Sequence, residues 1–344
     1  RRGAALTRPP FFVRSTAAEE TAAMAELEFA AAFLAKKGED VSAHHDATLP
    51  DGSRLALFLV ADGHGGAAVA VHLREQLLLA VAAGCADGTP ASVEGALRAA
   101  FASLHAECQS SRFAQSGATA TVVAVNVETG AITAANVGDS QALLLEENEP
   151  SKVEVLTVMH RWDRTEERER ATMAGADVGQ VSALSSRARR AARKFSAAAA
   201  RAKFRQAPSA DARSPLLAQA TNPHTKRPHG PLRAWPGGLA MSRAIGDADC
   251  SSWLIAEPHV RTVALPPGGC DIVLATDGVW DAQTDAAVVA TARAAGTLQS
   301  AAERIRRAPP AATRPPRPPP PRVRPPSAHP DLLSPLQRQE HAPR

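Results

Sequence analysis

The chain contains no tyrosine, and only 4% of its 344 residues are aromatic. Its hydrophobic content of 44% still supports a substantial core, much of it alanine, in one large domain or two small ones. Cysteine is scarce: Cys85, Cys108, Cys250 and Cys270 form no C-x-x-C pair and no regular framework. That excludes a disulfide-stapled scaffold and points to reduced thiols, so an intracellular protein, cytoplasmic or nuclear, is expected. No apolar run is long enough to span a bilayer, so no membrane span is expected. Charge of one sign is also in short supply. The net charge is +4 and the basic excess is local, so no nucleic-acid partner is expected. The first residue is Arg1, not Met, and Arg1–Thr16 is rich in Arg with no acid. Residues 1–23 are expected to be a disordered leader, with a transit-peptide remnant as the alternative and Met24 as a second possible start.

What the chain does have is two distant stretches of one design. Leu57-Phe58-Leu59-Val60-Ala61 is an apolar run that ends in Asp62-Gly63-His64-Gly65-Gly66. Asp271-Ile272-Val273-Leu274-Ala275-Thr276 ends in Asp277-Gly278-Val279-Trp280-Asp281. Each reads as a buried strand closed by Asp-Gly. A carboxylate at a strand end projects into a cleft, and the glycine beside it leaves room for a backbone carbonyl to approach a cation. Side by side, Asp62 and Asp277 would repel unless a proton or cation sat between them. Hard oxygen donors of this kind suit Mg²⁺ or Mn²⁺. His64 adds an imidazole able to donate a proton near neutral pH. Either stretch alone is also compatible with an ordinary strand-to-helix turn.

Between these stretches, Ala67–Ala83 and Ser92–Gln109 have helical spacing, and Ala120–Val127, Ala131–Val137, Gln141–Leu145 and Val153–Val158 read as strands. Short turns such as Glu128-Thr129-Gly130 join the strands, which predicts antiparallel pairing. Leu27–Leu34 reads as a first strand before Lys36-Lys37-Gly38-Glu39-Asp40. His44, His45 and Asp46 are expected in a loop, without a metal role. Thr165–Ala174 is a charged surface helix, to be capped by Asp163 or Thr165. Residues 182–230 hold a basic, alanine-rich stretch and then coil, which reads as a solvated insertion. Asp285–Ala294 and Leu298–Arg307 look helical, and residues 309–344 collapse into Pro and Arg, a disordered or polyproline tail. Residues 24–308 are thus the expected folded domain.

Asp62-Gly63-His64-Gly65-Gly66, Ser116-Gly117-Ala118-Thr119, Val137-Gly138-Asp139-Ser140, Gly237–Asp247 and Thr276–Asp281 occur in an order that resembles the metal-dependent serine/threonine protein phosphatases of type 2C. Lys36–Asp40 and Trp235-Pro236-Gly237-Gly238-Leu239 are most similar to a plant-type branch. The resemblance implies an α+β fold, an antiparallel β-sandwich flanked by helices on both faces. It implies two divalent cations, Mg²⁺ or Mn²⁺, phosphoprotein substrates, and hydrolysis of phosphoserine or phosphothreonine by a metal-activated water. A monomer is expected. By this resemblance Asp62 bridges both cations, the Gly63 carbonyl binds one, and Asp277 is a terminal ligand of the other. Glu39, with Asp40 beside it, binds or orders water at the first. His64 is the general acid that protonates the leaving oxygen. Asp139, Asp247 and Asp281 are acids around the cations. No Ser or Cys nucleophile is implied.

The sequence departs from the family at several points. Ala35 stands where an Arg usually binds the substrate phosphate, leaving Lys36 or Lys37 to substitute as point charges. Gln141 replaces an Arg after Gly-Asp-Ser, and Met159 replaces an Asp before His160. The closing strand, with its Asp-Asn or Asp-Asp-Thr ligand motif, does not follow Arg307. These departures predict weak or no activity for the chain as written. They keep a second expectation in play, an impaired phosphatase acting as a protein-binding module.

Overall fold

Alternation along the buried strands sets the layers. In β4 (Arg54–Ala61), Ala56, Phe58 and Val60 belong to one apolar cluster, and Leu55, Leu57, Leu59 and Ala61 belong to another. In β15 (Cys270–Ala275), Cys270, Ile272 and Leu274 share the cluster of Phe58, while Val273 and Ala275 face a third. Successive side chains on a strand point to opposite faces, so a strand apolar at every position must be covered on both. The structure, a computed structural model, does this with two sheets packed face to face and helices outside each. It describes residues 10–17, 24–31, 38–113, 116–149, 151–180, 232–235, 237–250 and 252–307.

The first sheet contains β1 (Pro10–Ala17), β2 (Met24–Ala31), β9 (Gln141–Glu146), β10 (Val153–Val155) and β15, in the order β10-β9-β15-β1-β2. The second contains β3 (Val41–Thr48), β4, β7 (Ala120–Asn126), β8 (Ala131–Val137) and β14 (His259–Ala264), in the order β14-β8-β7-β4-β3. Every pairing within both sheets is antiparallel, as the short turns predict. A small three-stranded ribbon joins β5 (Gly63–His64), β6 (Gly117–Ala118) and β13 (Ile245–Gly246), and β11 (Asp177–Gln180) pairs with β12 (Leu232–Trp235).

Helices α1 (Ala68–Gly84) and α2 (Pro90–Cys108) cover the second sheet. Leu73, Leu77 and Val81 of α1 recur at four-residue intervals and are buried. Thr89 caps α2, accepting from the Ser92 amide, and Pro90 follows at the first helical position. Helices α3 (Thr165–Met173), α4 (Asp277–Trp280), α5 (Asp285–Arg293) and α6 (Leu298–Arg307) complete the described set. The last two lie against the first sheet, with Val288, Ala302 and Ile305 buried there. This is the expected sandwich with helices on both faces. No helix among the described residues is long and apolar enough to cross a membrane.

Three expectations change. Residues 10–17, expected in a disordered leader, form β1 between β15 and β2. Val13 is fully buried between the sheets, and Arg14 grips Asp271 with Nε–Oδ1 at 2.8 Å and Nη2–Oδ2 at 3.1 Å. Nothing local announces a strand whose partner lies 257 residues away. His44, His45 and Asp46 lie in β3 rather than a loop. An edge strand tolerates polar residues, and His44 stacks on Phe58 with centroids 4.9 Å apart. Helix α3 has Arg164 at its N-cap with no side-chain cap bond, and its Glu167 is buried. The insertion 182–230 and the tail 309–344 lie outside the described residues.

If β1 belongs to the fold, Val13→Asp places an unpaired charge between the sheets. Chemical denaturation should show a loss of more than about 2 kcal/mol. A disordered leader would tolerate the change with no loss.

Candidate active site

Asp62 leaves the end of β4, and Thr119 holds it there. The Asp62 amide donates to Thr119 Oγ1 at 3.1 Å, and the Thr119 amide donates to the Asp62 carbonyl at 2.9 Å. Thr119 Oγ1 also meets Ser140 Oγ at 2.8 Å. Asp40 immediately precedes β3, whose Val41 pairs with Ala61, so the register sets Asp40 beside Asp62. Asp277 follows β15 and opens α4. The Asp62 carboxyl has Asp40 and Asp277 as its acidic neighbours. Burial, then the charges of those two acids, push its pKa up to about 10. The structure therefore brings Asp62 and Asp277 together and adds Asp40 to them.

Glu39 serves the loop that carries these groups. Its carbonyl accepts from the Gly63 amide at 3.2 Å, and its Oε1 accepts from the Gly66 amide at 3.1 Å. Gly63 is required at that contact: a Cβ there would lie 2.5 Å from the Glu39 carbonyl oxygen.

His64 and Asp247 form a separate pair. His64 Nε2 lies 2.6 Å from Asp247 Oδ2, and Asp247 is completely buried. The ribbon builds the pair: His64 and Gly246 both register against Gly117, one on each side. Asp247 has φ +53°, the one positive value at a non-glycine among the described residues. Helix α2 braces this turn, with the Gly246 amide donating to His105 Nδ1 at 3.3 Å and Gln109 Nε2 donating to the Gly246 carbonyl at 3.0 Å. Burial lowers the His105 pKa, which favours the neutral ring this contact needs. A Cβ on Gly117 would collide with the Asp247 carboxylate and come within 2.5 Å of His64 Nε2. Asp247, expected among the acids around the cations, is a partner of His64.

Asp139 and Asp281 are held by Arg161. Its Nε donates to Asp139 Oδ2 at 2.8 Å and its Nη1 to Asp281 Oδ1 at 2.7 Å, while Nη2 lies 3.8 Å from Asp277 Oδ2. Burial pushes the Asp139 carboxyl up to about 6, against the pull of Arg161. Burial also opposes the Arg161 charge, but Asp139, Asp281 and Asp277 outweigh it and hold the guanidinium above its ordinary value. Lys36 and Lys37, the expected phosphate contacts, lie outside the described residues. All four cysteines are buried and free, and burial pushes Cys85 up to about 11 and Cys108 and Cys270 up to about 12. Those three thiols are therefore not poised nucleophiles.

Among the described residues no group of three or more His, Cys, Asp or Glu side chains is arranged as a ready cage for a metal ion. The donor chemistry of Asp40, Asp62 and Asp277 nonetheless fits a hard divalent cation. They are touching carboxyls whose mutual repulsion a cation relieves, and they would have to part to admit it. Sequence reasoning did not find Arg161, the Thr119–Ser140 brace or the need for Gly117. The nearest signals were the basic residue two places after Met159 and the Ser116–Thr119 motif itself.

Two sheets packed face to face, helices outside each and an acid group at the strand ends define a four-layered α+β sandwich. The family model "Protein phosphatase 2C" matches residues 35–312, and the chain belongs to that family. It is 31% identical over 267 residues to "Probable protein phosphatase 2C 5" of Arabidopsis thaliana, covering 74% of this chain and 51% of that one. It is 32% identical over 292 residues to "Probable protein phosphatase 2C 15" of the same plant, covering 82% and 57%. The chain thus spans just over half the length of these curated relatives. Among solved structures, serine-threonine phosphatase 2C from Toxoplasma gondii shares the fold, with a TM-score of 0.50 and 18% identity over 85% of this chain and 84% of that one. A C. elegans sex-determining protein does so with a TM-score of 0.52 and 17% identity, covering 74% and 55%.

Two outcomes follow from this geometry. In chelator, the folded chain holds a proton among Asp40, Asp62 and Asp277 that the unfolded chain releases near pH 4, so stability should fall as pH rises above about 4. Asp62→Asn should flatten that slope in thermal melts, and identical slopes would contradict the contact. Gly117→Ala should cost about 1–3 kcal/mol through overpacking, with His64 and Asp247 separated in a crystal structure of the variant.

Proposed function

We propose that this chain hydrolyses phosphoserine and phosphothreonine in proteins with the help of divalent cations, Mg²⁺ or Mn²⁺. Membership of the protein phosphatase 2C family supports the reaction class. The observation that carries the reading is the grouping of Asp40, Asp62 and Asp277, a part-buried concentration of negative charge that a proton or a cation would stabilise. Those three side chains would hold the cation. When bound, it supplies a Lewis acid that activates water and offsets phosphate charge.

The remaining roles belong to the chain's own groups. His64 lies two residues beyond Asp62, and its Nε2 is 2.6 Å from Asp247 Oδ2. A carboxylate at that distance fixes the ring's orientation, as a general acid for the leaving seryl or threonyl oxygen requires. Glu39 fixes the loop between Asp62 and His64 through the Gly63 and Gly66 amides, and so fixes the spacing between the water-activating and proton-donating groups.

One observation favours a second reading, a module that binds phosphoproteins without turning them over. Arg161 is seated among acids that the family resemblance gives to the cations. Release of phosphate from a phosphothreonine peptide, with Mn²⁺ and with chelator, separates the two. Catalysis should require the cation and fall by about 10²–10⁴-fold in His64→Ala, the usual worth of a general acid, and Asp62→Asn should abolish it. Turnover indifferent to chelator and to Asp62→Asn would sink the hydrolase reading, and peptide binding without turnover would favour the module.

A further inference from the structure

His64 is followed by two glycines. Gly65 and Gly66 have φ +69° and +119°, a region glycine enters freely, so the loop does not fix the imidazole by its own conformation. Groups outside the loop must hold it. Glu39 Oε1 accepts from the Gly66 amide at 3.1 Å, and Ser116 Oγ donates to the Gly66 carbonyl at 2.8 Å. The same hydroxyl oxygen accepts from the Val69 amide at 3.2 Å. Val69 lies in the first turn of α1, whose N-cap, Ala67, makes no side-chain cap bond. Ser116 therefore supplies, from a distant segment, the acceptor that a helix start needs.

The backbone of Ser116 reaches the other half of the histidine pair. The Asp247 amide donates to the Ser116 carbonyl at 3.0 Å. A Cβ on Gly246 would lie 2.6 Å from that carbonyl oxygen, so the turn that carries Asp247 is pressed against it. The Ser116 amide donates in turn to the carbonyl of Phe113, a buried residue of the core under α1 and α2. Ser116 itself is 5% exposed, so removing its hydroxyl takes a partner from backbone groups in the interior.

We propose that Ser116 is a positioning residue for proton donation by His64: its hydroxyl fixes the loop that carries the imidazole, and its carbonyl fixes the turn that carries Asp247. The inference rests on the reading of His64 as the general acid. It makes one buried residue the common anchor of two segments 183 positions apart in the chain. Small displacements matter at such a pair, because a proton donor works only within hydrogen-bond reach of the departing oxygen. Ser116 touches neither that oxygen nor the imidazole, and acts on the reaction only through where it holds them.

Leaving-group chemistry tests this. A seryl or threonyl oxygen departs as a strongly basic alkoxide and needs a proton, whereas p-nitrophenolate departs without one. With Mn²⁺ present, Ser116→Ala should lower kcat for a phosphothreonine peptide by about 10–100-fold, part of the worth of a general acid, and lower it several-fold less for p-nitrophenyl phosphate. Ser116→Thr, which keeps the hydroxyl, should recover most of the loss, and Ser116→Ala should cost little more when added to His64→Ala. Equal losses on both substrates, or fully additive losses in the double variant, would overturn the proposal and leave the hydrolase reading standing. Equal losses on both substrates in His64→Ala would overturn the general-acid reading and this inference with it. If the chain turns over neither substrate, the imidazole nitrogen resonances of His64 decide. A hydrogen-bonded Nε2 in wild type that is released in Ser116→Ala supports positioning, and unchanged resonances overturn it. Should Ser116→Ala fail to fold, Ser116→Cys, close in shape but a weak hydrogen-bonding group, replaces it in each measurement.

Discussion

Asp62 touches Asp40 and Asp277, and the rest of the fold is arranged to hold that contact. Two like charges about 4 Å apart repel by about 4 kcal/mol at an effective dielectric of about 20. Fully burying one large apolar side chain gains only about 1.5–3 kcal/mol. Such a contact survives only if several elements converge on it and if a proton or cation takes up the charge. The β3–β4 register fixes Asp40 against Asp62, and β15 delivers Asp277 from the other sheet. Covering both sheets on both faces is what gives those strand ends a rigid backing.

The ribbon of β5, β6 and β13 does a second job with the same backbone. It runs from the acid group to the histidine pair, and Gly117 at its centre is the space into which His64 and Asp247 close. Thr119, two residues further on, fixes Asp62. A four-residue motif thus ties the charge-bearing and proton-bearing halves of the site together, so a shift in one is transmitted to the other. Asp247 in the left-handed region is strain of about 1 kcal/mol or more held at a functional position, where the bond to His64 and the bracing by α2 offset it.

Much of this was legible in the amino-acid order, for a physical reason. Strands buried on both faces are continuous apolar runs, so β4, β7, β8, β9 and β15 announce themselves, and Asp-Gly at two of their ends marks the site. Strands that depend on remote partners do not announce themselves. β1 opens on the second of two prolines and is secured by Asp271, and β3 is polar because it has a neighbour on one side only. The motifs identify which acids matter but not how they group. Grouping depends on side-chain reach between segments far apart, such as Arg161 to Asp281 across 120 positions. No local pattern encodes that distance.

The grouping itself carries the chemistry. Acids sharing one pool of cations would titrate together, and a change at any of them would alter the proton on the imidazole. Here each acid has its own partner: Asp139 and Asp281 have Arg161, Asp247 has His64, Glu39 has the Gly66 amide, and Asp40, Asp62 and Asp277 have one another. In the last set the carboxyls crowd one another, and Arg161, 3.8 Å from Asp277 Oδ2, reaches only one edge of it, so a mobile cation placed there would relieve their mutual repulsion. In the proposed reaction, the pairing of Asp247 with His64 would give the proton-donating group a counter-charge built into the fold. The proposed hydrolysis would place hydroxide character and an acidic proton a few residues apart, and separate partners would keep one from cancelling the other.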